Sequence, residues 1–282
     1  KPISGPKRYP LVGVLPTFRQ NPPEFLRAAA RQHGGIAKLD FGLRQVYLIT
    51  APDYVKHVLQ DNYRNYIRGG SIKSARWLLG NGLALVDGEP WLSQRRLMQP
   101  AFHRQRIARL GAGITETIAA MLDRWQAVAR AGAPIDIAAE MMRLTLTVIV
   151  KTMFSTDISA EVEQLEKAFN IGQAYIYEHG RNPFAPPRWL PLAANRQFQQ
   201  ALTFLDTLIY RLIAQRRREA AERDDLLAML LAARDEETGQ GMSDRQIRDE
   251  IMTIFFAGHE TTATALAWTW YALAQHPAIE QR

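Results

Sequence analysis

Two groups of residues put chemically capable side chains at spacings that bring them together. The first is Ala257-Gly258-His259-Glu260-Thr261-Thr262, set in a long run that is otherwise apolar. An acid inside an apolar helix needs a partner or a wet cavity, because an isolated buried charge is expensive. A helical glycine costs about 1 kcal/mol relative to alanine, so Gly258 also breaks the local rule. Gly258 and Thr261 stand three apart, with Ala257 and Thr261 four apart beside them, giving a face with little bulk and one hydroxyl. A flat ligand or a diatomic molecule could lie against the backbone there. The Thr261 hydroxyl could also bond the Ala257 carbonyl, loosening the helical ladder and making room for water. The same small residues would equally suit a close contact between two helices. His259-Glu260-Thr261-Thr262-Ala263 begins like the H-E-x-x-H zinc motif, but Ala263 stands where the second histidine belongs.

The second group is Trp91 and Arg95, four apart in PWLSQRRLMQPAFH and so on one side of a helix opened by Pro90. An indole N–H and a guanidinium are pure donors; aimed at one spot they bind a carboxylate or phosphate. Arg96, Arg104, Arg106 and Arg109 extend a basic surface around them. Gly80-Asn81-Gly82 resembles half of a dinucleotide fingerprint, yet Leu85 replaces the third glycine and no strand-turn-helix frames it. The nucleotide reading is therefore set aside.

These residues need elements to position them. Ser243 is an N-cap with Gln246 three residues on, and His276-Pro277 forbids a further turn, so one helix about 50 Å long is expected between them. From Met252 to Ala274 only His259 and Glu260 ionise, which fits a membrane span or the buried axis of a large core. An acid and several threonines in mid-span favour the buried axis. Upstream, the Pro- and Gly-punctuated opening to Phe18 reads as an extended arm. A short helix to Gln32, a hairpin of Ile36 to Phe41 and Gln45 to Thr50, and a helix from Pro52 follow. Residues 62–90, with five glycines, read as a binding loop or lid.

Long helices are then expected at Ile107 to Arg130, Ile135 to Phe154, Ala160 to Glu178 and Ala193 to Arg223, with a shorter one capped by Asp224. The turn NPFAPPRWLPL, with Phe169, Tyr175, Tyr177, Phe184 and Trp189 around it, suits a movable cover or a static aromatic cluster. Arg216-Arg217-Arg218 interleaves with Glu219 and Glu222 and reads as a solvated helix face, not a nucleic-acid patch. The chain has 282 residues, 47% hydrophobic and 22% charged, an ordinary globular composition. Its net charge of +7 favours an acidic partner or anionic surface. It holds no cysteine, so neither disulfides nor thiolate ligands are available.

Three widely spaced features resemble one family. AGHETT at Ala257 to Thr262 looks like the oxygen-activating motif of the cytochromes P-450, A/G-G-x-D/E-T-T/S. Trp91-x-x-x-Arg95 followed by Pro100-Ala101-Phe102 resembles the family's heme-propionate helix. The proline-rich arm, the early hairpin, the long loop and His276-Pro277 fall in the family's order. The resemblance implies a mainly α fold with a small β-sheet, one P-450 domain incomplete at the C-terminus, with residues 1–60 holding the arm and sheet and 61–282 the helical body. It implies heme b (iron protoporphyrin IX), with Trp91 and Arg95 on a propionate and Ala257 and Gly258 over its distal face. Glu260 and Thr261 would organise proton delivery, and Leu83, Ala84 and Phe256 would line the substrate pocket.

The implied activity is monooxygenation of a hydrophobic small molecule by dioxygen, with electrons from an acidic ferredoxin, flavodoxin or reductase. The axial cysteine would lie beyond Arg282, so the activity would belong to a longer protein. A cytoplasmic, soluble protein is expected, the alternative being one that has lost an N-terminal membrane anchor. From a different class, a cofactor-free helical interaction module remains the competing reading.

Overall fold

The computed structural model describes residues 2–155, 161–182, 185–219, 223, 225–235 and 238–280. Two compact units are present, Lys1–Ile67 and Arg68–Arg282.

In the first unit, α1 (Leu15–Gln20) is followed by α2 (Pro22–His33), whose N-cap Asn21 accepts a hydrogen bond from Glu24 N–H at 3.2 Å. Strands β1 (Ile36–Asp40) and β2 (Gln45–Ile49) pair antiparallel, from Ile36 opposite Ile49 to Asp40 opposite Gln45. Helix α3 (Pro52–Lys56) runs on into a π-helical turn over His57–Asp61. Val14, Ala29 and Leu39 are buried together, with Phe25, Leu26, Phe41 and Leu48 packed around them. The expected extended arm is thus interrupted: Pro16 sits in the first turn of α1, where its fixed φ and missing N–H suit a helix start.

The second unit is helical. It comprises α4 (Arg76–Leu79), α5 (Gly88–Met98), α6 (Arg104–Arg130), α7 (Ile137–Phe154), α8 (Val162–Arg181), α9 (Ala193–Arg218), α10 (Leu226–Ala232), α11 (Asp244–Ala274) and α12 (Pro277–Glu280). Its core gathers Leu146, Phe154, Leu165, Phe198, Ile209 and Phe255, each no more than 1% exposed. Burying each such side chain is worth roughly 1.5–3 kcal/mol, so this cluster anchors α7, α8, α9 and α11 to one another. Phe255 meets Phe169 at 5.4 Å and Phe154 at 5.8 Å between ring centroids, which fixes the rotation of α11.

Several expectations change. Helix α11 begins at its predicted cap, Ser243 Oγ accepting from Gln246 N–H at 3.2 Å. It is a buried axis only near its start: burial is continuous from Ile247 to Thr253 and then confined to Phe255, His259 and Ala263, whereas Trp268 is 65% exposed. Among the described residues no helix is long and apolar enough to cross a membrane. Arg216 is not solvated; it is buried, paired with Asp225 at 2.6 Å and donating to Phe154 O at 2.7 Å, while Arg217 and Arg218 stay exposed. The cap of α10 is Asp225, accepting from Ala228 N–H at 2.9 Å; Asp224 lies outside the described residues.

Around the proline-rich turn, Phe169 and Tyr175 belong to the core, whereas Tyr177 and Trp189 are exposed. Phe184 lies outside the described residues. Tyr175 stacks on Phe198 at 4.2 Å and on His179 at 3.9 Å, and its hydroxyl donates to Asn195 Oδ1 at 2.7 Å. Arg188 completes the packing, its guanidinium 5.0 Å from the centroid of Trp77. Tyr175, His179, Phe198, Trp77 and Arg188 thus form a packed aromatic cluster, with Tyr177 and Trp189 at the surface.

Candidate active site

Helix α11 is divided lengthwise at the predicted motif. One side packs. A Cβ placed on Gly258 would come within 2.9 Å of Ile149 Cδ1 on α7, so the glycine lets the two helices close. His259 is 3% exposed and pairs its Nε2 with Met142 O at 3.1 Å. Burial pushes its pKa below the ordinary histidine value, against a smaller opposing push from that carbonyl, so the ring is neutral and Nε2–H donates. Ala263 closes the same side against Met121, Met141 and Leu144.

The other side is open. Ala257 and Thr261 are exposed, and the Thr261 hydroxyl donates to Ala257 O at 2.6 Å, the bond expected from their spacing. Glu260 is half-buried beside them. Thus Ala257 and Thr261 share the low-bulk face, whereas Gly258 turns to the neighbouring helix.

Trp91 and Arg95 do meet, with the guanidinium carbon 5.1 Å from the indole centroid. The contact is a cation–π stack, so the indole braces the guanidinium instead of pointing alongside it. Arg95 is exposed and Trp91 half-buried, which leaves the charged fork facing outward for an anion. A separate cleft of about 450 Å³, between the end of α5 and α10, is lined by Leu97, Pro100, His103 and Met229 and contains none of the predicted site residues.

The loop before α5 is held by residues the sequence reading passed over. Asn81 N–H donates to Asp249 Oδ2 at 2.8 Å and Leu83 N–H to Glu250 Oε2 at 2.9 Å. Gly80, at φ +63°, and Gly82 face α11 so closely that a Cβ on either would collide, with the Asp249 carboxylate and with Thr253 Oγ1 respectively. On the loop's acceptor side, Gln94 Nε2 donates to Asn81 O at 3.0 Å and Arg76 Nη2 to Leu85 O at 2.9 Å. Arg248 backs the arrangement, bonding Asp249 Oδ1 at 3.0 Å and Asp206 of α9 at 2.7 Å.

Glu250 is 0% exposed, and among the described residues its Oε1 has no hydrogen-bond partner. Burial raises its pKa to about 7, opposed by the Leu83 N–H bond and reinforced by the charge of Asp249. Leu83 and Phe256 are half-buried against the main core, and Ala84 is exposed. A partial signal for this clasp existed in the sequence: Arg248, Asp249 and Glu250 are consecutive charges between Ile247 and the apolar run that starts at Ile251.

The donor set fits a heme at two points. The outward guanidinium of Arg95 suits a propionate, and the bare exposed strip at Ala257 and Thr261 suits a flat macrocycle. Among the described residues no three His, Asp or Glu side chains gather around a metal, and the sequence has no cysteine to ligate iron.

The profile of the Cytochrome P450 family matches residues 3–282. The chain belongs to that family. It is 39% identical over 278 residues to cyclooctatin synthase of Streptomyces melanosporofaciens, covering 98% of this chain and 59% of the relative. It is 34% identical to pentalenene oxygenase of Streptomyces avermitilis, covering 99% of this chain and 61% of the relative. A crystal structure of a cytochrome P450DA heme domain superposes with TM-score 0.84 at 28% identity, covering all of this chain and 62% of that one. The chain therefore spans about three-fifths of the length of the relatives it matches.

Proposed function

We propose that these residues are part of a heme-dependent monooxygenase that inserts one atom of dioxygen into a hydrophobic cyclic alkene or its alcohol. The relatives' names support the substrate class, since they include pentalenene oxygenase and cyclooctat-9-en-7-ol 5-monooxygenase, the latter 34% identical over 280 residues. The observation that carries the reading is the open strip of α11, where the Thr261 hydroxyl is held on Ala257 O beside a half-buried acid.

Heme, when bound, would supply the reductive activation of dioxygen. What this chain contributes is position, exclusion and protons. Arg95, braced on Trp91, holds a propionate by charge-assisted hydrogen bonds. Ala257 keeps side-chain bulk away from the macrocycle, and Gly258 sets the depth of that face by letting α11 seat on Ile149. The Thr261 hydroxyl donates to the Ala257 carbonyl, so its oxygen lone pairs are turned outward to accept a hydrogen bond from a water on the open face and hold it there. Glu260, half-buried and one residue away, offers a carboxyl that can orient water beside that hydroxyl. Leu83 and Phe256, both leaning on the core, form an apolar wall with Ala84 as its small, open position.

Electrons come from an acidic donor such as a ferredoxin, a flavodoxin or a reductase, for which the net charge of +7 and the exposed Arg104 and Arg109 are complementary. The test is Thr261→Ala in the complete protein. Heme content should stay at the wild-type level while product formed per electron falls and peroxide rises. Unchanged coupling refutes the role of the hydroxyl.

A further inference from the structure

Asp249 and Glu250 form a costly device. A buried carboxylate with one oxygen unpaired is less stable than an apolar side chain of similar volume would be. Such departures from the local rule are expected where geometry matters more than stability. Here the geometry is that of the 80–85 loop. Both of its bonds to α11 use backbone N–H groups, and both flanking glycines are needed for the approach. Nothing in the contact depends on which side chains the loop carries at Leu83 and Ala84. The loop's register along α11 is thus fixed while its pocket-facing residues remain free to vary. Glu250 lies seven residues before Ala257, about 10 Å along the helix, so the clasp sets how far those residues stand from the open strip.

We propose that Asp249 and Glu250 are positioning residues for substrate orientation, holding the Leu83–Ala84 segment at a set distance from the reaction face of α11 through the Asn81 and Leu83 amides. The proposal rests on the reading above that Leu83 and Ala84 face substrate. Arg248 is part of the same device, because it fixes the second oxygen of Asp249 and ties it to Asp206 on α9.

The test uses the complete heme-loaded protein with Glu250→Met, which keeps side-chain length but removes the acceptor, and Glu250→Gln, which restores an acceptor without the charge. Amide hydrogen exchange across residues 80–86 is measured alongside the ratio of oxidation products from pentalenene and from cyclooctat-9-en-7-ol. Glu250→Met should speed exchange of the Leu83 amide roughly tenfold, as expected for loss of its hydrogen bond, and change the product ratio. Glu250→Gln should return both towards wild type. A Leu83 amide as protected in Glu250→Met as in wild type overturns the proposal, and so does a loosened loop with an unaltered product ratio.

If Glu250→Met does not fold, the wild type decides. Its Asn81 and Leu83 amides should exchange roughly tenfold more slowly than that of Ala84, and equal rates overturn the clasp. A wild type that oxidises neither compound refutes the substrate class proposed above and leaves this inference to the exchange rates, which support or overturn it by the same criterion.

Discussion

Replacing Glu250 by glutamine should make the stability of the complete protein less dependent on pH. The carboxyl has a pKa of about 7 in the folded chain against an ordinary value of 4.5, with burial as the main cause. Between those values the folded state binds the proton and the unfolded state does not, so raising the pH favours unfolding. The stabilising contribution is complete below pH 4.5 and is lost as pH rises through about 7. At about 1.4 kcal/mol per pH unit, the loss is about 3 kcal/mol. Because the side chain is 0% exposed, solvent screening takes little from this figure.

Glutamine has nearly the same shape and still accepts from Leu83 N–H, but it does not titrate. Groups that titrate alike in both proteins cancel when the two are subtracted. Urea unfolding from pH 4.5 to 8.5 should therefore give a difference curve in which Glu250→Gln gains about 3 kcal/mol relative to wild type, most of it between pH 5 and 7. Parallel curves would refute the argument that a buried carboxylate holds this loop.

Other outcomes follow from the same geometry. Arg95→Ala should lower the heme-to-protein ratio after purification, and Arg95→Lys should retain more heme than alanine while losing the fork and the stack; an unchanged ratio in Arg95→Ala counts against the propionate role. Asp225→Ala leaves the buried Arg216 with only the looser Glu219 carboxylate at 3.7 Å and removes the cap of α10, so it should cost about 3 kcal/mol by urea unfolding. A loss below about 1 kcal/mol would show that the pair is dispensable. His259 is held neutral, so its contribution is present above the ordinary histidine value of 6.5 and is lost as pH falls through the lowered one. His259→Asn can still donate to Met142 O and should flatten that acid limb; an unaltered limb places the acid sensitivity elsewhere.

The secondary-structure elements were largely legible, because they depend on local signals. Ser243, Pro52 and the Ile36–Ile49 hairpin act through caps, fixed φ and strand alternation, and each lies where those rules place it. The Thr261–Ala257 bond was readable for the same reason, being four residues long. What stayed hidden depends on partners far apart in sequence. Periodicity places Gly258 on a face but cannot say that Ile149 occupies the space opposite. Arg216 reads as one of three surface arginines until Phe154 O and Asp225 are seen to enclose it. The glycines at 80 and 82 resemble part of a dinucleotide turn only in spacing; their reason is the close approach of α11, at the Asp249 carboxylate and at Thr253 Oγ1 respectively. In general, a residue's type announces that something must be satisfied, and only the packed structure says by what.

The lengthwise division of α11 has a consequence for how this protein can change. Positions 258, 259 and 263 are locked by Ile149, Met142 and the Met121–Leu144 cluster, so almost any substitution there moves the helix. Positions 257, 261 and 264 are exposed, so substitutions there leave that packing in place, and at 257 and 261 they act on the roles proposed above instead of on the frame. Mutational tolerance along this helix should repeat with the helical period, and a saturation library would recover new selectivities from one stripe and misfolded protein from the other. The frame that makes the site rigid also confines its evolution to a single face.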